Sequence, residues 1–283
     1  MDNEGKFAGG DPVQVIVEDT GPVVAEMNTA RARPCDGGFS VGHVNVTAGT
    51  FGGNVRFGAN FGFILSNNHV LANVNAGTVG DNVLQPGVAD GGTVQNDVIA
   101  TLTRWVPIDF ATGANNEVDC AIAEAVNPGD ITRNVQGIGI PGALADATPQ
   151  QAIRKSGRST QLTTGTIVSD NATTRTTLGG QTAVFVNQLQ YTQMTNGGDS
   201  GSLIWDQNSL TVVGLHYAGD TSNSYGNKIL RVLALLSRAF TIYDVKGKAT
   251  HFDEADICLL DQPKGLNKHK LKKAATPKRK SVK

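Results

Sequence analysis

Short apolar–polar alternations, each broken by a glycine- or asparagine-bearing turn, run from Phe39 through most of this chain and restrict its fold more than any other feature. Ser40-Val41-Gly42-His43-Val44-Asn45-Val46 alternates with the period of a half-buried strand, and Thr50-Phe51-Gly52-Gly53-Asn54-Val55 reads as a hairpin corner. Ile99 to Val106, Leu162 to Val168, Ala183 to Val186 and Leu210 to Tyr217 read as further strands. Helical spacing occurs clearly once, over Lys228–Phe240, through Ile229, Val232, Leu233, Leu236 and Phe240. A chain of 283 residues with 34 glycines can bury a substantial core while turning often. The pattern predicts an all-β protein built as barrels or a sandwich.

Charge is unevenly spread. Residues 264–283 hold nine Lys/Arg and no Asp/Glu, so the 24 basic and 25 acidic residues divide into 15 against 25 before that point, a body of about −10 with a basic tail. The tail has no aromatic for base stacking. A disordered, solubilising terminus is its simpler reading, against a contact with nucleic acid or another anionic partner. Cys35, Cys120 and Cys258 are odd in number and far apart, with neither metal-ligand spacing nor a disulfide framework. The polar start Met-Asp-Asn-Glu-Gly-Lys carries no apolar signal core, and no run approaches the roughly 18 apolar residues of a membrane span. These features predict a cytoplasmic chain without membrane partner, metal or cofactor.

Chemistry concentrates in Asn196-Gly197-Gly198-Asp199-Ser200-Gly201-Ser202, a hydroxyl in a loop whose glycines can turn amide N–H groups into one space. A serine nucleophile needs a base, and the base needs an orienting group. His251 and His269 fall in the C-terminal extension, and His43 lies inside an alternating strand. His69 stands where the apolar run Phe63-Ile64-Leu65 enters a polar turn. Asp119 is set between Val118 and Ala121-Ile122, where a buried carboxylate calls for a partner. Asp109, at a loop entrance after Pro107, is the weaker competitor.

Leu-Ser-Asn-Asn-His69-Val-Leu, Val-Asp119-Cys-Ala-Ile-Ala and Gly-Gly-Asp-Ser200-Gly-Ser resemble the three catalytic motifs of the chymotrypsin-like serine peptidases, in that family's order. Val212 to Gly219 resembles the strand that lines the family's specificity pocket, and the resemblance spans about residues 38–240. It implies two packed antiparallel β-barrels with one C-terminal helix, and Ser200 as nucleophile. His69 would be base then acid, Asp119 its orienter, and the N–H groups of Gly198 and Ser200 the oxyanion hole. The implied organisation is an N-terminal extension (1–37), a first barrel (38–126), a connection (127–150), a second barrel with its helix (151–241), and an extension with the basic tail (242–283). Val70 replaces the cysteine of secreted relatives, and no Arg/Lys-Ile-Val-Gly-Gly activation site occurs. The chain is therefore closer to the bacterial non-zymogen type, with the plant narrow-leaf-type peptidases a further relative, and Asp199 must find a partner other than a freed N-terminus.

Thr195 and His216 resemble the pocket of glutamyl endopeptidases and viral 3C-like peptidases, which implies Glu or Gln at P1. Met194 would sit at the pocket base, with Tyr217, Ala218 and Gly219 binding substrate by strand addition. The alternatives are a catalytically silent binding module of the same fold and a nucleic-acid-associated factor tethered by the tail.

Overall fold

A computed structural model describes residues 28–243 and 249–261. The apolar run Val13–Val17 and the basic tail lie outside the described residues. Strand dominates, as the alternation predicts, and the strands form two curled sheets.

The first sheet is built from β1 (Ser40–His43), β2 (Gly49–Thr50), β3 (Gly53–Phe57) and β4 (Asn60–Ser66). After a short helix α1 (Asn68–Leu71) come β5 (Asn82–Leu84), β6 (Val98–Trp105) and β7 (Ala121–Ala125). The second contains β8 (Ala143–Leu144), β9 (Ala152–Gly157), β10 (Gln161–Leu178), β11 (Gln181–Thr192), β12 (Leu203–Asp206), β13 (Thr211–Gly219) and β14 (Asn223–Lys228). Helix α2 (Ile229–Ser237) follows, and β15 (Ile257–Cys258) returns to pair antiparallel with β3.

The first sheet runs β15–β3–β4–β7–β6–β5–β1–β2. The second runs β8–β13–β12–β9–β10–β11–β14, and an added β13–β14 pairing joins six of its strands into a circuit. Pairing within both sheets is antiparallel except β8 on β13. One apolar cluster crosses between them, bringing Val55, Leu65 and Ile122 against Leu203, Trp205 and Leu215, with α2 and Leu259 closing its side. The sheets also touch by backbone. A Cβ on Gly52 would run into the Gly201 carbonyl, so glycine is required where β2 leads into β3.

Three expectations change in detail. The strands read at 162–168 and 183–186 belong to one long hairpin turned by Gly179 and Gly180, both with positive φ. Its exposed Thr-rich face kept the outer half of β10 from reading as core strand. The connection after residue 126 contains a strand, Ile131–Val135, parallel to Cys35–Gly37. The C-terminal extension, in which no strand is read, also contains strand among its described residues. Residues 249–252 pair with 240–243, and Arg56 binds Asp256 at 2.8 Å while Leu259 is fully buried. Leu259→Ala should therefore cost roughly 2–5 kcal/mol in a urea titration, the range for emptying a buried leucine site.

Candidate active site

Strand β4 is buried from Gly62 through Ser66, and it delivers the chain into α1 at the junction of the sheets. Asn67 donates to the Asp119 carbonyl at 2.8 Å, while the Asn68 amide donates to Asn75 at 2.7 Å and to the Val106 carbonyl at 2.8 Å. In the turn that follows α1, Asn73, Val74 and Asn75 have φ values of 46°, 53° and 68°. For a β-branched valine this is a costly conformation, retained only where the surroundings over-determine it.

His69 is thereby set beside Asp119. Its Nδ1 lies 2.5 Å from Asp119 Oδ2, and its backbone N–H donates to Oδ1 at 3.2 Å. Asp119 is fully buried, so the pairing is what makes its burial tolerable. A carboxylate at Nδ1 fixes the proton on that nitrogen and leaves Nε2 as a base. The acid's loop hangs from the second sheet. Asp119 N–H donates to Asn227 Oδ1 at 2.9 Å, Asn227 donates to Gln188 at 2.7 Å, and Gln188 donates to the Glu117 carbonyl at 2.9 Å.

Ser200 comes from the second sheet's side of the junction. Thr50 N–H donates to the Ser200 carbonyl at 2.7 Å, and Gly201 N–H to the His216 carbonyl at 2.9 Å. Ser200 Oγ donates to the Tyr217 carbonyl at 3.3 Å; no hydrogen bond joins it to His69 among the described residues. Gly198 has φ 95°, a value that suits only glycine. Among the described residues neither the Gly198 N–H nor the Ser200 N–H donates to a protein acceptor.

Asp199 has its partner. Its fully buried carboxylate lies 3.4 Å from the equally buried Lys155 ammonium and accepts from Thr160 Oγ1 at 2.6 Å and from the N–H groups of Ser159 and Asn196 at 2.9 Å each. Burial pulls this carboxyl up, but Lys155 and these hydrogen bonds outweigh burial and hold it below the ordinary value. Such a group contributes stability above its unfolded-state value and loses it as pH falls through the folded one.

The predicted pocket residues surround the outer half of β13. Thr195 Oγ1 bonds Ser224 Oγ at 2.7 Å, and a Cβ on Gly219 would stand 3.2 Å from that threonine oxygen. His216 is buried, with Nδ1 2.7 Å from the Tyr191 hydroxyl and 3.0 Å from the Tyr225 carbonyl. Burial lowers its pKa to about 4, so it is neutral near pH 7. The Tyr217 hydroxyl turns to Thr174 at 2.6 Å, and Ala218 and Gly219 reach the exposed end of the strand. Met194 is buried in the second sheet's core, its sulfur against Gly165.

The other titratable groups lie apart from this arrangement. His43 forms a second His–Asp pair, with Nε2 3.0 Å from Asp81, but its Nδ1 accepts the Asn45 N–H and so both ring nitrogens are occupied. Asp109 caps its own loop through the Ala111 N–H. Cys35, Cys120 and Cys258 are free thiols, and burial pushes Cys120 well up, away from reactivity. Among the described residues no cluster of His, Cys, Asp or Glu could hold a metal, and no helix is long and apolar enough to cross a membrane. Sequence reasoning missed Lys155, Arg158, Ser224 and Asn227. Their partners are remote in sequence, and their own neighbours mark none of them.

Two curled β-sheets sharing one apolar core, with a paired histidine and acid beside it, form the trypsin-like serine-protease fold, a fold that takes peptides or proteins as substrates. The trypsin family model matches residues 26–237, and the chain belongs to that family. Among solved structures it is similar to a protease from Nocardiopsis (16% identity, 71% of this chain and 97% of the other, TM-score 0.52). It is also similar to Thermobifida fusca protease A (18%, 71% and 95%, 0.51) and to a glutamic-acid-specific serine protease that uses a histidine triad in substrate binding (19%, 71% and 96%, 0.48). No curated protein matches the sequence.

Proposed function

We propose that the protein is a serine endopeptidase in which Ser200, His69 and Asp119 act in the order nucleophile, base and orienter. The observation that carries this reading is the 2.5 Å His69–Asp119 bond, which leaves Nε2 as a lone-pair base. Ser200 Oγ leaves the Tyr217 carbonyl and adds to the scissile carbonyl carbon while its proton passes to His69 Nε2. The C–N bond then breaks as the imidazolium returns that proton to the leaving amine. Water, deprotonated by the same nitrogen, hydrolyses the acyl-enzyme. Asp119 stays ionised and stabilises the imidazolium. The unpaired amides of Gly198 and Ser200 take the oxyanion. A loose serine–histidine geometry before substrate arrives fits this scheme, since such bonds tighten in the Michaelis complex. Covalent labelling of Ser200 by a fluorophosphonate tests the reading, and folded protein that takes no label sinks it.

The same pocket supports Glu or Gln at P1. A neutral His216 bonded at Nδ1, with the hydroxyls of Thr195 and Ser224 joined nearby, offers polar groups, and the Asp220 carboxylate beyond the strand's outer end is already taken up by the N–H groups of Ser222 and Asn223 and by the Tyr225 hydroxyl. In a peptide library, cleavage should follow Glu or Gln, and His216→Ala should lower kcat/KM for those peptides by about 10-fold to 100-fold, the scale of one lost hydrogen bond to a charged group. Cleavage after Arg, Phe or Leu rejects the assignment.

A further inference from the structure

The oxyanion amides belong to two peptide units that are held very differently. In the unit joining Asp199 to Ser200, the carbonyl accepts from Ser202 N–H at 3.0 Å and from Ser202 Oγ at 2.6 Å. The planar trans peptide places N–H opposite C=O, so pinning this carbonyl also aims the Ser200 N–H. The unit joining Gly197 to Gly198 lies between two residues without side chains. Rotating it through half a turn changes only a glycine ψ and a glycine φ, and glycine tolerates both signs of φ. Sterics alone therefore do not decide whether the Gly198 N–H or the Gly197 carbonyl faces the reacting group. Something outside the loop must.

One side chain does this. Ser159 Oγ donates to the Gly197 carbonyl at 2.6 Å, on the side away from the Gly198 N–H. The hydroxyl cannot rotate freely, because Arg158 Nη1 donates to the same oxygen at 2.9 Å and directs its proton elsewhere. Arg158 is itself held as a fork by Asp90, in the turn that joins β5 to β6 of the first sheet, Nε to Oδ2 at 2.6 Å and Nη2 to Oδ1 at 2.5 Å. Asp90 also takes the Ser40 hydroxyl at 2.5 Å. The packing is close enough that a Cβ on Gly198 would stand 2.5 Å from Arg158 Nη1 and 2.6 Å from Ser159 Oγ.

We propose that Ser159, braced by Arg158 and Asp90, is a positioning residue that locks the Gly197–Gly198 peptide with its N–H toward the oxyanion. One half of the oxyanion hole is thus set by the β9–β10 turn and braced from a connecting turn of the first sheet. The assignment rests on the serine-peptidase reading above and deepens it. Ser159 acts through the orientation of one amide.

Three variants test it. Ser159→Ala should lower kcat by about 10-fold to 100-fold, somewhat less than removing an oxyanion donor outright, with KM changed little. A peptide boronate, whose tetrahedral adduct needs the oxyanion hole, should lose affinity in parallel. Ser159→Thr, which keeps the hydroxyl, should restore both. Arg158→Lys, which loses the fork to Asp90, should fall between. A crystal structure of ligand-free Ser159→Ala supplies the readout independent of activity. It should show the 197–198 peptide turned over or in two orientations, with the Asp199–Ser200 peptide unmoved. An unaltered 197–198 peptide in that crystal, or Ser159→Ala with wild-type kcat, overturns the proposal. Wild type that neither hydrolyses peptide nor takes a fluorophosphonate overturns the underlying reading instead, and the crystal still decides whether Ser159 orients the peptide.

Discussion

Ser200→Ala should abolish fluorophosphonate labelling and lower kcat by about a million-fold, leaving only the residual rate that binding and oxyanion donors supply. His69→Ala should cost nearly as much, and the double variant no more than either alone, because the two groups act as one unit. Asp119→Asn is the more informative partner. It keeps the shape of the buried site but takes away the acceptor that fixes the His69 tautomer, so a loss of about 10⁴ in kcat is expected with peptide binding retained. Folding controls are needed for this variant, since the fully buried carboxylate also receives the His69 backbone N–H. Near-additive single and double variants would show that Ser200 and His69 do not act together.

Lys155→Met should destabilise the fold by roughly 3–5 kcal/mol near neutral pH, the usual cost of stranding one member of a buried ion pair. Both partners are fully buried, and the lysine also donates to Thr160 Oγ1 and to the Gln161 carbonyl at 3.0 Å. The sign with pH follows from which charge remains. In the intact protein Asp199 sits below its ordinary value, so acid removes stability. Without Lys155 the stranded carboxyl moves up, and its penalty disappears as protonation neutralises it. The gap between wild type and variant, followed by urea titration, should therefore narrow as pH falls toward 4. A constant gap would show that packing rather than charge dominates. Adding Asp199→Asn to Lys155→Met should recover part of the loss at neutral pH.

Much of this was legible from residue order. The all-β class followed from the alternating runs, and the helix was placed within one residue at its start and three at its end because its apolar positions keep helical spacing. His69 and Asp119 could be chosen over His43 and Asp109 from their neighbours, and in the structure those two are brought together. What stayed hidden depends on partners remote in sequence. Lys155 reads as a surface cation until Asp199, forty-four positions later, folds over it. Ser224 and Asn227 are ordinary polar strand residues until β14 lies between β11 and β13. The hairpin of β10 and β11 was read short because a strand with one polar, solvent-facing side gives a weak periodic signal. Strand β15 was missed because two residues carry no period at all.

That last strand bears on how the molecule comes into being. Residues 257–259 complete the edge and core of the first sheet, yet they are made after every strand of the second. A nascent chain therefore exposes the first sheet's β3 edge throughout synthesis of the second. Until that late segment leaves the ribosome, Arg56 lacks Asp256 and the shared core lacks Leu259. Growth from N- to C-terminus thus builds the histidine and acid early, the serine loop next, and the clasp across the first sheet afterwards.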